Sequence, residues 1–375
     1  MDLELTDDQQ LFAETTRRFL ETESPLTSVR QLHDSADGFD RDQWRRGAAL
    51  GWTALLVPEE QGGGSVSDDG LLDLVLVAEE VGRLIAPGPL LPVNVVADAV
   101  ARVGSAAQRD EVLPALVSGD AVATWAFDEG TGAWDVAGVR ATATQADGGW
   151  VLDGAKSFVQ DAAVADWFLV TARTGEGLTQ LLVPSSTAGV AVSPLESLDL
   201  VRRFGEVSFA GVRLPDSAVL GQAGEAAADV ERQLQVALVI QNAETVGAVA
   251  RVFDFTLEYS RDRVAFGRPI GSYQALKHRL AEMKTALEGC FATATVSARA
   301  VAAGSPDAAE LVSVAKAYIG DRAPSIVQDC VQLHGGIGVT WDHDLHVYLR
   351  RVTQNAALYG SARQHRERVA SLIGM

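Results

Sequence analysis

Two segments in the last third of the chain carry residues suited to binding an anionic cofactor. The first starts at Arg263 and reads RVAFGRPI, and the planar guanidinium of an arginine can bind two phosphate oxygens at once. The second reads QLHGG, and its adjacent glycines let a backbone approach a ligand closely. The alternative for Arg263 is a surface side chain favoured by the dipole at a helix C-terminus. The candidate anion-binding residues from these properties are Arg263, Gly335 and Gly336.

Both segments resemble the acyl-CoA dehydrogenase family. The first matches the family pattern R-x-x-F-G-x-P-[IL] followed by [FY]-Q, and the second matches its Q-x-x-G-G loop, in the same order. In the family, these segments hold the adenine and pyrophosphate half of an FAD that belongs mainly to the neighbouring subunit. The resemblance therefore implies FAD as the cofactor and a contact that reaches across a subunit interface. The cofactor-binding residues that it implies are Arg263, Phe266, Tyr273, Gln274, Gln332, Gly335 and Gly336.

The middle of the chain departs from the family where the subunit's own flavin would be held. The family's T-E-P-G-A-G-S-D corresponds to residues 128–135, and its K-x-W-I-T corresponds to residues 156–160. The serine of the first run is Trp134 here, the threonine that hydrogen-bonds the flavin is Gln160, and the tryptophan that packs on the ring is Phe158. The resemblance implies that this subunit does not hold a flavin there in the usual way.

The usual catalytic base of the family is also missing. The Glu of the family's I-Y-E-G-T run falls on Tyr359, and a phenol with an ordinary pKa of about 10 is a poor base at neutral pH. Some members place the Glu on the first long helix of the last domain, but those positions are Ala237 and Leu238 here. Glu244 lies further along that helix. It is either a displaced base whose pKa burial raises toward neutrality, or a structural carboxylate between packed helices.

We interpret the remaining histidines, cysteines and arginines that could carry chemistry as structural residues. The histidines match no familiar zinc spacing and the cysteines do not join them, so no metal site is expected. These residues are His278, His334, His343, His346, Cys290 and Cys330. Arg350 and Arg351 stand where the family often has Arg-Asp, and we assign this inverted charge to subunit contacts.

Three regions of different sequence pattern must position these residues. Residues 1–120 have helical periodicity, with Thr6 as an N-cap paired with Gln9 in a capping box. Residues 121–224 consist of short β-branched and aromatic runs, which predict a small β-barrel or sandwich. Residues 225–375 return to helical periodicity and predict a four-helix bundle. Its helices are expected over 226–263, 272–303, 307–334 and 344–370. The fold class is mostly α with a central β domain, the three-domain architecture of the family.

Composition narrows the possible partners and location. The 375 residues include 31 Lys and Arg against 50 Asp and Glu, a net charge of −19. This charge argues against nucleic acid and anionic membrane surfaces as partners. The acidic start MDLELTDDQQ lacks the basic region of a secretory signal, and no uninterrupted run of about 18 apolar residues exists. We therefore expect a cytoplasmic protein without a membrane span.

The division between retained and lost residues predicts a role in a heteromer. Residues that would serve the chain's own site are gone, while those that serve a neighbour's site remain. We interpret the chain as the base-lacking subunit of an α2β2 acyl-CoA dehydrogenase, similar to actinobacterial enzymes that act on steroid side-chain CoA thioesters. The resemblance implies FAD-dependent α,β-desaturation of an acyl-CoA, a partner's Glu as base, and electron-transfer flavoprotein as acceptor. The alternatives are a homotetramer with Glu244 as base, and a non-catalytic acyl-CoA-binding or scaffold protein.

Overall fold

The computed structural model describes residues 5–375 except 131, 133, 135 and 147. The described residues form eleven α-helices and ten β-strands. Helices come first, a sheet follows in the middle, and helices return, as the sequence predicts. Part of the run 128–135 lies outside the described residues, but Trp134 is within them.

The N-terminal region consists of six helices. They are α1 (Asp7–Glu23), α2 (Leu26–Gln31), α3 (Arg41–Ala48), α4 (Gly70–Leu84), α5 (Leu90–Val103) and α6 (Ala106–Val117). The Thr6 side chain accepts a hydrogen bond from the backbone N–H of Gln9 at 3.2 Å, and the Gln9 side chain accepts one from the Thr6 N–H. This capping box satisfies two backbone donors at the start of α1 and confirms the predicted N-cap.

The middle region is one eight-stranded sheet. Its strands are β1 (Ala123–Ala126), β2 (Thr142–Ala146), β3 (Gly149–Gln160), β4 (Trp167–Arg173), β5 (Leu178–Pro184), β6 (Val190–Leu195), β7 (Phe204–Pro215) and β8 (Val219–Leu220). The order is β6-β7-β3-β2-β4-β5-β8, with β1 parallel to β4. The β3–β7 ladder is interrupted between Lys156 and Val159, where Phe158 has a φ of 51°. Such a bulge redirects side chains at a sheet surface.

The C-terminal region contains five helices rather than the four that the sequence pattern predicts. They are α7 (Ala227–Asp262), α8 (Gln274–Ala302), α9 (Ala308–His334), α10 (Leu345–Ala357) and α11 (Ala362–Leu372). The helix expected over 344–370 breaks because Tyr359 and Gly360 have φ values of 59° and 101°, which no right-handed helix accommodates. Ser361 then starts α11 with its own capping box. A short hairpin, β9 (Val264–Ala265) and β10 (Arg268–Pro269), joins α7 to α8.

The long helix α7 is the centre of the C-terminal region. By length and composition it could cross a membrane, but 94% of its most apolar stretch is buried inside the protein. It packs against helices of both helical regions, including α4, α9 and α10. The apolar composition of α7 therefore reflects its place in the core.

Two glycines bring α4 and α7 into backbone contact. A Cβ added at Gly247 would lie 2.0 Å from the carbonyl oxygen of Glu79, and one at Gly82 would lie 1.9 Å from that of Glu244. Since these obstacles are backbone atoms, no side-chain rotation could relieve them. The close crossing holds Glu244 at a fixed depth between the two helical regions.

We predict that Gly247→Ala destabilises the protein. The methyl group would force the helices apart, at a cost of about 1–3 kcal/mol for overpacking, against which the better helix propensity of alanine offsets about 1 kcal/mol. Thermal unfolding would show a lower midpoint. The matched control is Gly175→Ala, where an added Cβ meets nothing within 4 Å. Equal midpoints for the two variants would contradict the close helix crossing.

Candidate functional site

The hairpin after α7 presents the first candidate segment to solvent. Arg263 is the C-cap of α7, and Phe266 and Gly267 form the hairpin turn with φ values of 52° and 83°. Two successive positive φ values are the geometry of tight two-residue hairpins. The Tyr273 hydroxyl donates to the Ala265 carbonyl at 2.9 Å, and the Arg268 guanidinium lies 4.0 Å from the centre of the Tyr273 ring. Tyr273 therefore braces the hairpin, and Gln274 begins α8 beside it.

The second candidate segment lies at the same end of the helical bundle. The rings of Tyr259 and His334 stack with their centres 4.2 Å apart. Tyr259 lies in α7 one turn before Arg263, and His334 immediately precedes Gly335. Gly335 has a φ of 64°, and a Cβ on Gly335 or Gly336 would meet nothing within 4 Å. Gln332 is exposed in the last turn of α9. The structure thus brings together the two segments that the sequence pairs only by resemblance.

These two segments fit an anionic cofactor that approaches from outside the chain. The Arg263 side chain is exposed and has no ion-pair partner within the described residues. The open glycines leave backbone amides accessible, and amides and arginine are the groups that bind pyrophosphate. Arg263, Gln332, Gly335 and Gly336 are therefore placed to hold the anionic part of FAD.

Exposed apolar side chains surround this end of the molecule. Phe266 is 97% exposed, Val339 74% and Trp341 52%, and Val264 and Ile337 are also exposed. Large apolar side chains grouped on the surface mark contact sites. Val264 and Phe266 lie on the first candidate segment, and the other three residues follow directly after the second.

Tyr359 is buried among aromatic rings at the opposite side of the C-terminal region. Its ring meets Trp134 edge-on at 5.2 Å and stacks with Trp125 at 6.0 Å, and Trp125 stacks on Phe127 at 4.9 Å. Burial raises the pKa of the phenol well above its ordinary range, with Glu244 and Asp161 adding to the rise against the opposing charge of Arg202. Tyr359 therefore packs as a core residue and stays protonated at neutral pH.

The other substituted flavin positions are likewise turned to structural uses. The Gln160 amide donates to the Asp161 carboxylate at 3.0 Å, and its Oε1 is buried without a partner within the described residues. Phe158 is 48% exposed on the β3 bulge. Lys156, fully buried, donates to Glu129 at 2.6 Å and ties the loop after β1 to the sheet. The Gln160 amide and the Lys156 ammonium therefore each donate to a partner within this chain.

Glu244 belongs to a buried ion cluster, which we define as Asp199, Arg202, Glu244 and Arg351. Arg202 donates to both Glu244 oxygens at 2.6 Å, and Arg351 donates to Glu244 and to Asp199. Burial acts to raise the pKa of Glu244, but the two arginines outweigh it and hold the pKa below its ordinary value. The raised pKa that the displaced-base alternative requires is therefore absent, because two cations that the sequence did not reveal face the carboxylate.

The ion cluster also corrects the interpretation of Arg351. This residue was assigned to subunit contacts, but it is 1% exposed and paired inside its own chain. Asp199 and Arg202, which lie between β6 and β7, were missed. A signal existed in the sequence, because an inverted charge at Arg351 requires new carboxylates nearby if it is buried.

Little space remains next to the ion cluster. The cavity bounded by Gln160, Asp161, Arg202, Glu244 and Arg351 has a volume of about 10 Å³, room for about one water. A larger cavity of about 680 Å³ lies on the far side of Tyr359. Its charged lining is Glu231, Glu367 and Arg368, and Arg368 is paired with Glu231. The rings of Trp134 and Tyr359 form part of the wall of this cavity.

No group of three or more His, Cys, Asp or Glu side chains within the described residues could hold a metal ion. Cys290 and Cys330 are buried free thiols, and burial raises the pKa of each to about 12. His334 and His343 lie together near the end of α9, with ring centres 4.8 Å apart. These rings pack with Phe255 and Tyr259 as part of the core beneath the second segment.

Comparison with known proteins finds the same architecture and family along the whole chain. Models of the N-terminal, middle and C-terminal domains of acyl-CoA dehydrogenases match residues 6–120, 124–212 and 228–373. The acyl-CoA dehydrogenase IpdE2 of Mycolicibacterium smegmatis is 30% identical over 98% of this chain and 100% of its own length. The ChsE4-ChsE5 complex of Mycobacterium tuberculosis contains a chain with a TM-score of 0.90 and 29% identity, with full coverage of both chains. The structure of a steroid acyl-CoA dehydrogenase, Tcur3481-Tcur3483, has a TM-score of 0.88 and 28% sequence identity to this chain, and the match covers 98% of each chain.

We predict that Glu244→Gln strongly destabilises the protein. The isosteric amide keeps the shape, but Arg202 and Arg351 would then share only Asp199, and breaking a buried pair costs about 3–5 kcal/mol. The unfolding midpoint in denaturant measures this loss. Glu367→Gln, which removes an exposed pair with Arg363, is the control and should change little. A Glu244→Gln protein as stable as the control would show that the ion cluster is dispensable.

We also predict that stability depends on pH through Lys316. Its ammonium is 2% exposed and donates to the Gln241 Oε1 at 2.5 Å, and burial lowers its pKa to about 7. In the unfolded chain this lysine has its ordinary pKa of 10.5, so between about pH 7 and pH 10.5 the unfolded state binds one more proton than the folded state. The free energy of unfolding therefore rises as the pH rises from about 7 toward 10.5. Lys316→Met should flatten this rise in thermal midpoint. The control is Lys284→Met, which removes an exposed ion pair with Glu288 and should retain the rise of the thermal midpoint with pH. An unchanged pH dependence in Lys316→Met would show that Lys316 is not its source.

Proposed function

Because this chain belongs to the acyl-CoA dehydrogenase family, we propose that it is the subunit that completes a partner's cofactor site in a heteromeric acyl-CoA dehydrogenase. The cofactor of the family is FAD. The observation that carries the proposal is the contrast between the exposed segments at Arg263 and Gly335 and the buried region around Tyr359 and Glu244. The segments that would serve a neighbour are open and fit an anion, whereas Trp134, Tyr359 and the buried ion cluster occupy the positions where the family would hold its own flavin and base.

In this proposal, the chain contributes binding and the partner contributes the base. Arg263 and the amides at Gly335 and Gly336 hold the pyrophosphate, and Phe266, Tyr273, Gln274 and Gln332 complete the surface against the adenine half. FAD, when bound, supplies the two-electron acceptor for α,β-desaturation of an acyl-CoA thioester. A carboxylate of the partner takes the substrate α-proton, and electron-transfer flavoprotein accepts the electrons.

The substrate class and assembly follow from the relatives. One similar solved structure is a complex of two differently named chains, and another is named as a steroid enzyme. We infer an α2β2 assembly in the cytoplasm that acts on a CoA thioester of a steroid side chain. We also retain the expected boundaries of the three domains, 1–120, 121–224 and 225–375, as part of this proposal.

The two alternative functions have less support. A homotetramer that uses Glu244 as its base requires a carboxylate free to accept a proton, but Glu244 is bound by two arginines that lower its pKa. A scaffold protein has no need of an exposed Arg263 beside open glycines. The specific observations therefore favour the heteromer.

We expect two flavins per α2β2 assembly rather than four. The measurement is the visible flavin absorbance of the co-purified complex against its subunit content, because each FAD needs one intact partner pocket and one segment from this chain. The isolated chain should be colourless or aggregated. A homotetramer of this chain with full flavin occupancy would contradict the heteromer.

The variant that tests the same proposal is Arg263→Ala. Loss of a charge-assisted contact worth about 1.5–3 kcal/mol should weaken FAD binding by the complex about tenfold or more. The matched control is Arg261→Ala, an exposed arginine in the last turn of the same helix. Equal FAD affinity in the two variant complexes would reduce Arg263 to a surface charge.

A further inference from the structure

We propose that Arg30, on α2 of the N-terminal region, is a positioning residue for the cofactor loop, which we define as residues 335–344. This loop contains Gly335 and Gly336 and connects α9 to α10. The proposal rests on the proposed function, since it assigns to Arg30 the task of fixing the backbone that meets FAD. Arg30 itself lies more than 300 positions earlier in the chain.

Arg30 donates hydrogen bonds to two residues of the cofactor loop. Its Nε and Nη2 donate to one Asp344 oxygen at 3.1 and 2.8 Å, and its Nη1 donates to the Trp341 carbonyl at 2.6 Å. The Arg30 side chain is 19% exposed and the Asp344 side chain is 41% exposed, so the contact lies at the protein surface with the arginine partly buried. An arginine can make such a divided contact because its donors lie in a rigid plane.

The Trp341 side chain strengthens the same contact. The Arg30 guanidinium lies over the Trp341 indole, 5.5 Å from the ring centre. The His346 ring stacks on the same indole, with the ring centres 4.6 Å apart and an angle of 23° between the rings. His33, from the same segment as Arg30, also meets Trp341 at 6.2 Å. The loop is therefore fastened between α2 and the first turn of α10.

The remaining hydrogen bonds of the cofactor loop are local. Thr340 bonds back to Ile337, and the Leu345 N–H bonds to His343. Among the described residues, the side-chain hydrogen bonds that tie the loop to distant parts of the chain come from Arg30. Gly335 and Gly336 follow directly on α9, whose last residue, His334, is held by the stacked Tyr259 ring. Arg30 fixes the other end of the loop, so the two contacts together set the position of the glycines.

The test uses Arg30→Gln in the complex with its flavin-bearing partner. FAD titrated into the deflavinated complex should bind about tenfold more weakly, and amide hydrogen exchange over residues 335–344 should become faster. The thermal midpoint should change no more than in Arg46→Gln, which removes an ion pair with Glu23 in the same helical region without touching the loop. Arg30→Lys, which keeps the charge on Asp344, should recover part of the FAD affinity.

The outcomes separate this inference from the proposed function. Unchanged FAD affinity in Arg30→Gln overturns the positioning role, whether or not exchange in the loop becomes faster. Equal loss of affinity in Arg30→Gln and Arg46→Gln also overturns it, since the effect would then be general. If Arg263→Ala retains full FAD affinity, the proposed function fails. If Arg263→Ala loses affinity and Arg30→Gln does not, only the role of Arg30 fails.

Discussion

The constraint on which the rest of this structure depends is charge neutrality in a desolvated core. Asp199, Arg202, Glu244 and Arg351 come from three separate parts of the chain and are each at most 8% exposed. A buried ion that loses its partner is strongly destabilising, so the segment between β6 and β7, α7 and α10 must stay in one arrangement. The close glycine crossing of α4 and α7 fixes the depth of Glu244 within it. The same core leaves space for about one water where a catalytic site would need a substrate.

The molecule therefore has one closed half-site and one open one. On the closed side, Trp134 and Tyr359 pack against each other and the helix break at Tyr359 remains although the usual base is absent. On the open side, Tyr273 braces a hairpin and Tyr259 joins α7 to the end of α9. Rigid support beneath exposed binding residues is what a contact shared with another subunit requires, because preorganisation reduces the cost of ordering on binding.

Much of the fold could be predicted from local sequence. The Thr6 capping box, the strand runs and three of the long C-terminal helices follow from caps and periodicity. The break at Tyr359 could not, because a positive φ on a tyrosine contradicts local preference and is imposed by packing. The candidate cofactor residues could be named from motif spacing. The partners of Glu244 could not, since Asp199 and Arg202 reach it only through tertiary contacts that no periodicity records.

The almost fully exposed Phe266 has a consequence for the life of the protein in the cell. In the proposed heteromer, a newly made chain carries this ring and its apolar neighbours on its surface until the partner subunit covers them. Chaperones and proteases recognise such uncovered apolar surface, and molecules that remain uncovered are removed. The amount of this chain would then follow the supply of its partner, so that the balance of subunits is set after synthesis by survival of the assembled form.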